Sequence, residues 1–148
     1  IKQVNINQSL ENVVNILEKQ FKSANIEIRR EYENNLAIIP LDEHLMQEVF
    51  INLINNAKEA MPDGGAIMIK TYLEGGYLHI DFRDTGLGMS EETKKKLFEP
   101  FFTTKEQGTG LGLSICYGIV KAHNGELTLE SQLNQGTVAT IRLPWGGE

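Results

Sequence analysis

The chain predicts an α+β domain in which a mixed sheet carries its helices on one face. Three observations lead there. Ala66–Leu73 with Tyr77–Arg83, and Glu126–Ser131 with Thr137–Leu143, are alternating segments joined in pairs by short turns that contain glycine. Three other segments repeat apolar residues at helical spacing. Hairpins and helices interleave, instead of following the strict strand–helix alternation of a doubly wound fold.

Taken in order, Val4–Asn7 reads as a short strand. Leu10, Val13, Val14, Leu17, Phe21 and Ala24 then form the apolar stripe of a helix, with Asn7 or Ser9 as its cap. Ile26–Tyr32 alternates as a strand. Leu36–Ile39 is a second strand, closed by Pro40. Asp42 caps a long helix whose apolar face is Leu45, Met46, Val49, Phe50, Leu53, Ile54 and Ala57, and Pro62-Asp63-Gly64-Gly65 ends it. Gly75-Gly76 is a tight hairpin turn. In the strand that follows, Leu78, Ile80 and Phe82 share one face. Ser90-Glu91-Glu92 opens a short helix stopped by Pro100, and residues 99–109 carry no period. A last helix runs from Gly110 to about Ala122 and ends at His123-Asn124-Gly125.

A chain of 148 residues is one domain by length. It is long enough to bury about 70% of its unfolded surface, so neither disulfide nor metal is needed to hold a core. The net charge of -6 argues against a nucleic-acid or anionic-membrane surface and requires any anionic ligand to be held by local devices. One cysteine, Cys116, excludes an intrachain disulfide and fits a reducing, cytoplasmic compartment. No apolar run reaches the ~18 residues of a membrane span. The chain begins at Ile1, which reads as a fragment, 1–148 being one domain of a longer protein whose anchor, if it has one, lies upstream.

The chemistry concentrates in two glycine clusters and one helix. The strand ending at Arg83 runs into Asp84-Thr85-Gly86-Leu87-Gly88. A carboxylate there can accept hydrogen bonds from a ligand's amino group, although aspartate before glycine is also an ordinary turn. Gly108-Thr109-Gly110-Leu111-Gly112-Leu113 opens the last helix. Each glycine inside a helix costs about 1 kcal/mol relative to alanine. Charge-assisted bonds from freed amides to a phosphate return about 1.5–3 kcal/mol each, more than the ~0.3–1 kcal/mol of the helix dipole. On the long helix Glu48, Asn52 and Asn56 recur at four-residue spacing, on a stripe roughly opposite the apolar face. They are either a solvated face or, for the two asparagines, oxygen donors to a hard cation such as Mg²⁺. Neither glycine cluster is a P-loop or a dinucleotide fingerprint. His44, His79 and His123 form no ligand-spaced set, and Cys116 reads as a small core residue. Phe101 and Phe102 read as a satellite core, and Lys105 as solvated, on position alone.

In sequence order, Asn52-Leu53-Ile54-Asn55-Asn56-Ala57, Asp84-Thr85-Gly86-Leu87-Gly88, Phe98-Glu99-Pro100-Phe101-Phe102, Gly108 to Leu113 and Gly136-Thr137 resemble the boxes of the ATP-binding domain of sensor histidine kinases, in the GHKL superfamily with the Bergerat fold. Phe101-Phe102-Thr103-Thr104-Lys105 resembles the nitrogen-regulation and sporulation type. The resemblance covers the whole chain and implies a two-layer α/β sandwich with a mostly antiparallel sheet and three main helices. It implies that Asp84 accepts from the adenine amino group with the Gly86 and Gly88 backbone close by. Thr137 would lie near the same ring, directly or through water. Asn56 would ligate Mg²⁺, and Asn52 would support metal or phosphates. Met89 to about Thr109 would be a lid, with Gly108, Thr109, Gly110, Leu111 and Gly112 at the phosphates and Lys105 as a phosphate contact.

The implied activity is phosphoryl transfer from Mg-ATP to a histidine on a dimerisation domain, and onward signalling to a response regulator. Two departures stand out. Glu59 replaces a lysine that many relatives carry three residues after the metal asparagine, and none of the three histidines is followed by an acidic residue, so the acceptor lies elsewhere. Two other readings compete. A hydrolytic GHKL ATPase or protein-serine kinase would need a general base four residues before Asn56, where Asn52 stands. The other is a non-catalytic nucleotide-binding scaffold.

Overall fold

The computed structural model describes residues 1–34, 36, 38–90, 92 and 112–145. Its elements are β1 (Lys2–Val4), α1 (Ile6–Ser23), β2 (Ile26–Glu31), β3 (Ile39–Leu41), α2 (Glu43–Glu59), β4 (Gly65–Glu74), β5 (Tyr77–Asp84), α3 (Gly112–Ala122), β6 (Glu126–Gln132) and β7 (Gly136–Pro144). Five strands form one sheet in the order β2-β4-β5-β7-β6. Its β2–β4 pair is parallel and the other three are antiparallel. β1 and β3 make a separate antiparallel pair. The helices pack on one face of the main sheet, α1 on β2, α2 on β5 and α3 on β6, with α2 between the other two helices. The expected α+β sandwich is therefore the observed one, and the short β1–β3 ribbon is an addition to it.

Alternation sets the core. Ile26 and Ile28 of β2, Ile67 and Ile69 of β4, Leu78, Ile80 and Phe82 of β5, Leu127 of β6, and Ala139, Ile141 and Leu143 of β7 point inward and are buried. They meet Leu10, Val13, Val14, Leu17 and Phe21 of α1 and Met46, Val49, Phe50, Leu53, Ile54 and Ala57 of α2 in one cluster. The ring of Phe50 lies 6.1 Å from that of Phe82, joining helix layer to sheet. The hairpin at Gly75-Gly76 has φ of 62° and 81°, the pair of positive angles that a type I′ turn needs.

Several boundaries differ from expectation. α1 is capped by Asn5, whose Oδ1 accepts from Gln8 N at 3.1 Å, not by Asn7 or Ser9. Asn7 already belongs to the helix, and its amide instead donates to Glu33 O and accepts from Thr71 Oγ1. β1 accordingly ends at Val4. β3 runs through Pro40 instead of stopping at it, because an outer strand can turn the position lacking an N–H away from its partner. On α2, Leu45 stands outside the apolar face at 37% exposure. The Asp42 cap is as expected, with Oδ1 accepting from Leu45 N at 3.1 Å. The short helix after Ser90 and the Phe101 to Lys105 loop lie outside the described residues.

Polar residues on inward strand positions each have a specific partner. Arg30 of β2 reaches back to α1, pairing with Glu18 through two nitrogens and with Glu11 at 3.0 Å, and Tyr32 donates to the same Glu11. Burial first, and then Glu11, push the Tyr32 hydroxyl well above its ordinary value. Thr71 of β4 accepts from Glu33 N at 2.8 Å and donates to Asn7. Both ties pin the β2 edge and the start of α1 to the sheet.

Phe50→Ala should lower unfolding free energy by about 3–5 kcal/mol in urea titrations, because the site is closed on both layers and cannot collapse. A loss below ~1 kcal/mol would show that the α2–sheet contact is not the centre of the core.

Candidate functional site

β5 places Asp84 on the inward phase of Leu78, Ile80 and Phe82, one step beyond the last core residue. The carboxylate is 7% exposed. Its Oδ1 accepts from Gly86 N at 2.8 Å and from Thr137 N at 3.2 Å. Among the described residues nothing donates to Oδ2, which is therefore the acceptor left for a ligand. Burial pushes the Asp84 carboxyl above its ordinary value, and the two amides pull part of the way back.

The glycines around it serve close backbone approach. A Cβ on Gly86 would stand 2.4 Å from Ala60 O, and the next amide, Leu87 N, donates to that carbonyl at 3.0 Å. Gly88 has φ of 70° and its Cβ position lies 1.9 Å from Gln132 O, while Asn134 N donates to Leu87 O. Gly136, with φ of 92°, would drive a Cβ to 2.2 Å from Asp84 O. The loop after β5 is thus clamped between the end of α2 and the β6–β7 turn, and no side chain fits at those three points.

α2 connects this clamp to the start of α3. Ala60, its C-cap, touches the loop, and Ala60 N donates to Asn56 O one turn back. Asn52 lies one turn further, about 12 Å from Ala60 along the helix axis. Asn52 Oδ1 lies 3.9 Å from where a Cβ on Gly112 would stand. Buried Cys116 lies on α3 as well, and burial pushes its thiol up to about 11 while the Asn52 amide pulls part of the way back. The stripe is therefore not the outward face opposite the core. Glu48 is exposed, but Asn52 and Asn56 are half-buried, Asn52 beside the start of α3. No described residue hydrogen-bonds the Asn56 side chain, so its oxygen remains available to a hard cation.

The structure brings Asp84, Gly86, Gly88 and Thr137 into one contact set, and Asn52 and Gly112 into a second on the same side of α2, with Asn56 between them. Lys105, Gly108, Thr109, Gly110 and Leu111 lie outside the described residues. Gly136 was quoted above only as a motif glycine, with no role of its own, and Ser131 was not singled out at all. Gly136 backs the aspartate, and Ser131 touches Thr137 Oγ1 at 2.8 Å. The signal for Ser131 was a polar residue at the inward position of β6 that follows Leu127 and Leu129. His123 is structural. Its Nε2 accepts from Asp42 N at 3.1 Å and its Nδ1 donates to Ile119 O at 2.8 Å, which fastens the end of α3 to the start of α2.

Residues 41–147 match the family described as histidine kinase-, DNA gyrase B-, and HSP90-like ATPase. Sporulation kinase C of Bacillus subtilis is 41% identical over 94% of this chain and 33% of its own length, so the chain spans about a third of that relative. Among solved structures, the nucleotide-free catalytic domain of histidine kinase ThkA is 35% identical, covers 97% of this chain and 94% of its own, and superposes with a TM-score of 0.88. ThkA in complex with the response regulator TrrA is similar at 30% identity over 97% of this chain and 41% of that one, with a TM-score of 0.83.

Asp84→Asn keeps an oxygen for the two amides but removes a charge that burial disfavours. The folded carboxyl titrates above its unfolded value, about 3.9. Between those two values the folded state binds more protons, so stability falls as pH rises through the window. The variant should therefore melt no lower than the parent chain at neutral pH, and its advantage should shrink as pH approaches the acid end of the window. A lower melting temperature at neutral pH would overturn this account of the carboxylate.

Proposed function

This chain belongs to the family of histidine kinase-, DNA gyrase B- and HSP90-like ATPases, as an ATP-binding catalytic domain of the histidine kinase type, and on that premise we propose how its residues serve a two-component sensor kinase. The parent protein would transfer the γ-phosphoryl group of ATP to a histidine on its own dimerisation domain, and thence to the receiver domain of a response regulator. The observation that carries the reading is the inward Asp84, held by two amides on one oxygen with the other turned to no donor among the described residues.

In this reading Asp84 Oδ2 accepts from the exocyclic amino group of adenine. Gly86 and Gly88 let the main chain lie against the ring, and Thr137 borders it. Asn56 offers its amide oxygen to Mg²⁺, which when bound neutralises phosphate charge and aligns the transferring group. Asn52 holds the start of α3, where Gly112 and the preceding Gly108, Thr109, Gly110 and Leu111 would offer amides to the phosphates, with Lys105 as a further phosphate contact. An imidazole is itself the nucleophile, so no general base is required. Asn52 cannot serve as one, which separates this site from a hydrolytic relative. The domain would work in the cytoplasm, against its own phosphoacceptor domain, with no nucleic acid and no direct membrane contact. Among the described residues no helix is long and apolar enough to cross a membrane.

Calorimetric titration with a non-hydrolysable ATP analogue should show at least about a tenfold loss of affinity for Asp84→Asn. Asn56→Ala should remove most of the affinity gained on adding Mg²⁺. Labelled ATP mixed with this chain and a separate domain bearing the acceptor histidine should label that histidine. Full affinity in Asp84→Asn would remove the adenine assignment. Steady hydrolysis on the order of 1 s⁻¹ would favour a hydrolytic ATPase, and no transfer at any Mg²⁺ concentration would favour a scaffold.

A further inference from the structure

β5 parts from β4 at Asp84, and the side chain of Thr85 manages the departure. The β4–β5 ladder runs from the hairpin as far as Ile67 and Asp84. Beyond it Gly65 and Ala66 still pair with Ile26 and Glu27 of β2, but no longer with β5. The amide of Ala66 donates instead to Thr85 Oγ1 at 3.2 Å. The hydroxyl gives its own proton to Met61 Sδ at 3.5 Å, a contact in which only the oxygen can donate. A Cβ on Gly65 would stand 2.5 Å from that oxygen and 2.8 Å from the sulfur, so threonine and methionine close over a position that glycine alone leaves open. Met61 is buried and directly follows Ala60, whose carbonyl receives Leu87 N at 3.0 Å. Gly86 is therefore straddled. The residue before it is tied to β4 and Met61 by a side chain, and the residue after it to Ala60 by the main chain. Between the two ties, Gly86 N reaches Asp84 Oδ1 at 2.8 Å.

We propose that Thr85 is a positioning residue for the Asp84 carboxylate, its hydroxyl setting the loop so that Gly86 N engages Oδ1 and Oδ2 is left to a ligand. The consequence for a ligand rests on the nucleotide reading above, whereas the consequence for the carboxylate stands without it. A ladder continued past Asp84 would carry Thr85 and Gly86 onward along β4 and away from the carboxylate. An acceptor on the side chain satisfies Ala66 N and frees the main chain to turn back. Valine has the shape of threonine and the same β-branched stiffness, but no hydroxyl. In its place Ala66 N loses its acceptor, and one of the two ties that hold Gly86 is gone. Thr85 is itself exposed, so the exchange leaves the core untouched.

Two measurements on the whole chain separate these consequences. Carbon-detected NMR follows the Asp84 carboxyl through a pH titration with no ligand present. In the parent chain burial raises that titration, and the Gly86 and Thr137 amides oppose the rise. Thr85→Val should therefore move it further up, and Thr85→Ser, which keeps the hydroxyl, should leave it at the parent position. Calorimetry with a β,γ-imido analogue of ATP should show about a threefold loss of affinity in Thr85→Val and none in Thr85→Ser. An Asp84 titration that does not move in Thr85→Val, or in Thr85→Ala should the valine variant not fold, overturns the role of Thr85, whatever happens to the melting temperature. A shift in Thr85→Ser equal to that in Thr85→Val overturns it too. A shifted titration with full analogue affinity in Thr85→Val overturns the consequence for the ligand. If the titration shifts as expected but the parent chain binds no analogue, the nucleotide reading falls, and Thr85 stands as the residue that seats the carboxylate.

Discussion

One buried carboxylate organises the functional end of this fold. Asp84 occupies the inward position that a fourth apolar residue of β5 would otherwise take, and an ion there is tolerated only because main-chain amides meet it. Supplying those amides requires two pieces of backbone to converge on one oxygen. The loop after β5 turns back within two residues, and the start of β7 arrives alongside. Gly86, Gly88 and Gly136 are the points at which that convergence leaves no room for a side chain. The glycines and the aspartate are thus one device, and what it presents is the carboxylate oxygen to which no described residue donates.

The second half of the site is organised by α2 in the same economical way. Its inner face builds the core through Met46, Val49, Phe50, Leu53, Ile54 and Ala57, and its flank carries the two asparagines, Asn52 beside the start of α3. The helix is pinned at both ends. Asp42 caps it and is tied to α3 through His123, while Ala60 receives the amide of Leu87. A rigid helix anchored this way sets the spacing between the carboxylate end of the site and the start of α3, a distance no loop could hold as closely.

Much of this was legible in the sequence, because period carries both element type and facing. The alternation of β4, β5 and β7 and the stripes of α1 and α2 follow directly from their apolar spacing, and Asp42 announced its helix. What failed were boundaries decided by a single side chain. Asn5, Asn7 and Ser9 are all competent caps, and only the tertiary contacts of Asn7 with Glu33 and Thr71 decide among them. Pro40 read as a stop because its partner strand, β1, is 37 residues upstream and has no local signal. The inward polar positions proved the most informative. Arg30, Thr71, Asp84 and Ser131 each break the apolar phase of a strand, and each is matched by a partner that sequence spacing could not reveal. Ser131 was overlooked for that reason, since the group it serves lies across a turn and depends on the register of β6 with β7.

That both donors to Asp84 among the described residues are main-chain amides has a consequence for inheritance. Substitution at position 137 can change what that side chain offers, yet the amide remains, and proline alone among the amino acids would delete it. The seat of the carboxylate is encoded in the course of the polypeptide, so surrounding side chains are free to drift and to retune ligand preference while the acidic anchor stays where it is.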